Sequence, residues 1–123
     1  MRRREGGQAA VELALALPLL ALLALLLLQV GLVVRDQVLL THAAREAARA
    51  AAVDGAPGAA REGALAGSRL DGDRLDVRTA GRAGPGSRVT ASLGYRSPTD
   101  VPLVGRFVGD VRLRASVTMR VEM

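Results

Sequence analysis

An apolar block from Gly7 to Val34, GQAAVELALALPLLALLALLLLQVGLVV, decides most of what this chain can fold into. From Leu13 to Leu28, sixteen consecutive residues carry no polar side chain. Adding Ala9–Val11 and Val30–Val34, interrupted only by Glu12, Gln29 and Gly31, gives about 26 residues, whereas about 20 cross roughly 30 Å of hydrocarbon. The block can therefore span a bilayer with some tilt. A cleaved secretory signal has an apolar core of roughly 7–15 residues followed by a small-residue site, and QVGLVVRD after Leu28 offers none. The expectation is a retained transmembrane helix over residues 8–34. Arg2, Arg3 and Arg4 precede it and place the amino end on the cytoplasmic side and the carboxyl end outside. Pro18 removes a backbone donor and crowds the carbonyl of Ala14, so a bend is expected there.

The helix should continue past the span. RDQVLLTHAAREAARAAAVDG has no proline or glycine before Gly55 and is rich in strong helix formers. Leu39, Ala43, Ala47 and Ala51 form one i,i+4 row, a packing surface whose small side chains suit close approach of another backbone. Arg45, Glu46 and Arg49 form the polar face, with Glu46 within i+3 reach of Arg49. Asp54-Gly55-Ala56-Pro57-Gly58 ends the helix. The expected rod, Gln8 to Val53, is roughly 69 Å long at 1.5 Å per residue.

Beyond it, residues 54–123 read as a small α/β region outside the membrane. Ala59–Leu70 suits a short helix weakened by Gly63 and Gly67. Alternation of apolar and polar residues marks strands near 75–80, 88–96 and 111–122, the last running without exception from Val111 to Val121. Three strands with one apolar face need cover, and the upper half of the long helix is the nearest. The fold class is α+β, a long amino-terminal helix with a three-stranded antiparallel sheet packed on its carboxyl-terminal half.

Composition removes several functions. All seventeen basic residues are arginine, a bias that fits a GC-rich bacterial genome. The net charge is +5, yet beyond residue 35 the arginines are scattered among acids. Tyr95 and Phe107 are the sole aromatics, so stacking on bases is excluded as a mode and no nucleic-acid partner is expected. Absence of cysteine removes disulfides and thiolate metal sites. His42 stands alone, the serines lie in no nucleophile-elbow context, and the glycine-rich stretches lack a phosphate-loop lysine. Asp71-Gly72-Asp73 opens like a calcium loop without the closing glutamate. Neither an enzyme, a cofactor, a metal nor a small-molecule substrate is expected.

The amino terminus resembles a type IV prepilin-like signal, with a basic leader over residues 1–7, Gly7 before the cut, Gln8 after it, and Glu12 at the fifth mature position. More specifically, RRREGGQAAVELALALPLL followed by THAAREAARAAA resembles the TadE-like family of pilin-like proteins, as does the closing LRASVTMRVE. Leu13 stands where that family often has an aromatic residue, and Ala47 where it often has glycine. The resemblance implies a pilin-like fold and a minor pilin or pseudopilin of a tight-adherence (Flp-type) pilus. It implies a prepilin peptidase, other pilin-like subunits and the assembly platform as partners. Its expected place is the bacterial cytoplasmic membrane or a surface pilus. Glu12 would then set assembly register against the new α-amine of a neighbouring subunit. An unprocessed single-pass protein presenting a small extracytoplasmic binding domain is the alternative.

Overall fold

A computed structural model describes residues 2–122, with side-chain surroundings defined from Glu5 onward. Met1 of the basic leader, and the side chains of its three arginines, lie outside what is described. The chain forms α1 (Arg2–Val53), α2 (Ala59–Ala66), a 3₁₀ turn (Gly72–Arg74), β1 (Leu75–Ala80), β2 (Arg88–Ser97), α3 (Gly105–Val108) and β3 (Val111–Arg120). This is the expected α+β layout, a long apolar helix with a three-stranded antiparallel sheet.

α1 differs from expectation at its start. It begins at Arg2 rather than Gln8 and runs for 52 residues, about 78 Å, through Gly6, Gly7 and Pro18 without interruption. Two adjacent glycines cost about 1 kcal/mol each relative to alanine, too little to break a ladder that flanking arginine and glutamate favour. Proline, for its part, is tolerated where other groups take up the freed carbonyl.

The helix ends where its last carbonyls find partners beyond Val53, two of them from distant chain. The Ala50 carbonyl accepts from the Asp54 amide at 2.8 Å and that of Ala52 from the Glu122 amide at 3.3 Å. The Arg82 guanidinium donates to the Ala51 carbonyl. Orphan acceptors at a helix end are thus satisfied by tertiary structure, and the cation opposes the negative end of the helix dipole. Gly58, with φ +93°, turns the chain into α2.

The sheet order is β1-β2-β3, antiparallel throughout. Val89, Ala91, Leu93, Tyr95 and Ser97 of β2 face inward and are buried, because the central strand lies over the helix. β3 keeps the expected alternation, but only Leu113 on its inner face is fully buried, as befits an edge strand. On the outer face, hydroxyls pair across strands, Thr90 with Thr118 at 2.7 Å and Ser92 with Ser116 at 3.4 Å.

The core is a seam along the upper half of α1. Leu40, Ala43, Ala44, Ala47, Ala48, Ala51 and Ala52 are all buried under α2 and the sheet. One leucine among alanines makes a shallow seam, and shallow seams let backbones approach. At Gly63 of α2 an added Cβ would lie 2.7 Å from the Ala50 Cβ and 2.9 Å from the Glu46 carbonyl oxygen.

The amino-terminal helix as candidate functional site

Two segments of α1 differ in their surroundings. Above Asp36 one face is covered by the chain's own sheet and α2. Below it nearly every large apolar side chain is open, including Val11, Leu13, Leu15, Leu19, Leu23 and Leu27. A contiguous apolar surface of that extent marks a membrane or protein interaction. The helix over Glu5–Val53 is also long and apolar enough to cross a membrane.

Gly7 and Gln8 lie within the helix, exposed, and a Cβ added at Gly6 or Gly7 would meet nothing within 4 Å. The backbone there is free of tertiary contact. One turn later, Gln8 Nε2 donates to Glu12 Oε1 at 3.2 Å, an i,i+4 pair on the exposed helix surface. In the folded single chain the only group meeting the Glu12 carboxylate among described hydrogen bonds is thus an amide, without a countercharge.

The alanine row has a covering within the chain. Ala43 and Ala47 are fully buried, Ala51 nearly so and Leu39 half-buried, all against the chain's own elements. The α2 backbone comes closest to α1 beside this row, at Glu46 and Ala50. Arg45, Glu46 and Arg49 are exposed. Glu46 forms no ion pair with Arg49 among the described residues; its side chain lies over α2 instead, where an added Cβ at Gly67 would come within 2.6 Å of its Cγ.

The sequence reading missed the residues that fix the sheet's lower end. Ser97 Oγ donates to Asp36 Oδ2 at 2.6 Å, and Gln37 Nε2 donates to the Arg114 carbonyl at 3.2 Å. Asp36 and Gln37 belong to the first polar run after the apolar block, Arg35-Asp36-Gln37, which was the available signal. Gln29 was passed over as a mere interruption. It is 5% exposed, and neither atom of its amide has a partner among the described residues.

Among the described residues no group of three or more His, Asp or Glu side chains could hold a metal. His42 is exposed on α1. A groove on the outer face of the sheet is lined by Asp76, Arg78, Gly94, Arg96, Arg112 and Arg114 among others. It is open and mostly basic, and its acid, Asp76, is paired with Arg78 at 3.3 Å.

The family model described as TadE-like protein matches residues 7–49, from Gly7 to Arg49 on the polar face of the upper helix. No curated protein and no solved structure matches the chain. The match lies within α1 and stops short of α2 and the sheet. The segment with the open apolar surface, Gly7 and Glu12 is thus the part of the chain that is similar to the TadE-like protein family.

Proposed function

We propose that the chain is a structural subunit of a tight-adherence (Flp-type) type IV pilus or secretion apparatus, a minor pilin or pseudopilin. A prepilin peptidase cuts it between Gly7 and Gln8, and it assembles through α1 from the bacterial cytoplasmic membrane. The observation that carries this reading is that the family match takes in the helix segment left open by the chain's own fold. The sheet covers the upper helix; the lower helix is available first to lipid and then to neighbouring helices.

The charge arrangement gives the cut a purpose. A carboxylate in the entrance of a span is unfavourable by about 1–3 kcal/mol unless paired or held near the interface. Cutting before Gln8 removes the three arginines that hold the helix to the cytoplasmic surface. It also creates an α-amine one turn from Glu12. Brought beside the Glu12 of an adjacent subunit, that amine forms a charge pair at only one axial offset, which sets register.

Glu12→Ala should therefore leave membrane insertion unchanged, because it makes the span more apolar. Its recovery in sheared pili or in subunit cross-links should fall by at least about tenfold, since removing one partner of a desolvated pair strands the other. Wild-type recovery of the variant would remove Glu12 from assembly.

A further inference from the structure

The connection between β2 and β3 has features that assembly through α1 does not use. Between Ser97 and Val111 it buries Val101 and Val104, which stand apart from the main core cluster. It turns Leu103, Phe107 and Val108 outward, and Phe107, the chain's single phenylalanine, is 86% exposed. Leu103 adopts φ +68°, the single positive φ outside glycine among the described residues. Such a backbone is uncommon for a bulky side chain and persists where surroundings or function require it. Arg106 is exposed between the apolar residues. At the root of the connection Arg96 lies directly across from Arg112, and neither makes an ion pair among the described residues. Like charges directly opposed across strands repel, so this pairing favours an anionic partner.

The connection's position on α1 is fixed by the bond from Ser97 to Asp36. Gln29 lies seven residues nearer the amino end on the same helix face, about 10.5 Å away. It is buried although Leu28 and Val30 beside it are exposed. The sheet ends at the Ser97–Val111 pair, and the connection is the chain that continues past it.

We infer that this connection runs along α1 from Asp36 toward Gln29 and rests on the outer leaflet of the membrane, with Leu103, Phe107 and Val108 among the lipids and Arg106, Arg96 and Arg112 at anionic headgroups. The inference rests on reading the lower α1 as a span, and it accounts for the span's length. Ala9 to Leu28 already crosses about 30 Å of hydrocarbon. The further apolar stretch to Val34 then lies at the level of the connection, at the lipid–water boundary. Apolar side chains enter that zone while arginines remain at its surface. Gln29, at the same level, is covered by protein rather than turned to lipid.

The chain contains no tryptophan, which makes the test direct. Single-tryptophan variants of the full chain, Phe107→Trp, Leu20→Trp and Ala80→Trp, are placed in vesicles of phosphatidylcholine and phosphatidylglycerol with brominated acyl chains. Leu20 lies in the span and Ala80 at the far end of β1. With bromines near the headgroups, Phe107→Trp should lose most of its emission and resist iodide. Leu20→Trp should lose its emission to deep bromines, and Ala80→Trp should respond to iodide alone. Iodide quenching of Phe107→Trp without bromine quenching, while Leu20→Trp is quenched by lipid, overturns the inference and leaves the span intact. Failure of Leu20→Trp to sense lipid overturns both. Protection from both quenchers that grows with protein-to-lipid ratio assigns the patch to a second copy, and likewise overturns it. Val108→Trp repeats the measurement should Phe107→Trp fail to fold.

Discussion

Leu40→Ala is expected to release much of the sheet's hold on the helix. Leu40 is fully buried and is the one large side chain in a seam otherwise built from alanine. Truncating a buried leucine costs about 2–5 kcal/mol, the upper end applying where the site cannot collapse. Here α1 is a continuous helix and β2 is the central strand, so neither has easy freedom to fill the gap. A region of roughly 70 residues has about 4–10 kcal/mol of stability in all, and this one is built without disulfides. Tyr95, the single tyrosine, lies 7% exposed in the same core. Its fluorescence during denaturant titration in detergent micelles reads the interface directly. The midpoint should fall sharply for Leu40→Ala and stay near wild type for Leu20→Ala, whose side chain is exposed in the single chain. Equal midpoints for the two would mean that the seam is not what holds the sheet.

Gly63→Ala is expected to destabilise the same region, against its local helix preference. Alanine in place of glycine inside a helix is ordinarily worth about 1 kcal/mol. At Gly63 the new methyl would meet the Ala50 Cβ at 2.7 Å and the Glu46 carbonyl oxygen at 2.9 Å. Real Cβ atoms do not sit that close, and a backbone carbonyl cannot swing aside as a flexible side chain can. α2 must lift from α1, with a net loss of about 1–3 kcal/mol as for other overpacked sites. Gly31→Ala is the matched control, because an added Cβ there meets nothing within 4 Å. Hydrogen exchange of the α2 amides should accelerate for Gly63→Ala and remain at the wild-type rate for Gly31→Ala. Unchanged exchange in both would show that α2 does not pack this closely.

These two sites also show what residues alone could and could not convey. The uninterrupted Leu13–Leu28 run and the alternation from Val111 to Val121 are local patterns, and local patterns are legible: the long helix and β3 follow from them. The alanine row announces a close approach without naming what approaches. Gly63 and Gly67 read locally as weak points in a short helix, yet they are the places where that helix meets α1. The Glu46–Arg49 pairing satisfies helix spacing but loses to the lateral packing of Glu46 over α2, which no i,i+3 argument contains. Burial of Gln29 was illegible for the same reason. The tie nearest it, Ser97 to Asp36, joins residues 61 positions apart in the chain. The start of α1 at Arg2 shows the opposite limit, since a glycine pair that reads as a boundary is carried through by the helix on either side.

The proposed site itself divides in the same way. Gly7 and Glu12 are proposed from the resemblance, and the fold leaves both exposed. Arg82 was not legible as a partner of the α1 terminus, because its role depends on the β1–β2 turn reaching the Ala51 carbonyl. The outward turn of Phe107 depends likewise on a loop conformation that proline and glycine punctuation suggests only as irregular structure.

The central claim is that α1 is freed by cutting after Gly7 and then used for assembly. Intact-mass measurement of the chain extracted from membranes that contain an active prepilin peptidase tests it most directly. The expected mass is that of the chain lacking Met1–Gly7, with a Gly7→Leu variant left at full length in the same membranes. A wild-type chain that keeps Met1–Gly7 alongside a peptidase cutting its other substrates would contradict it.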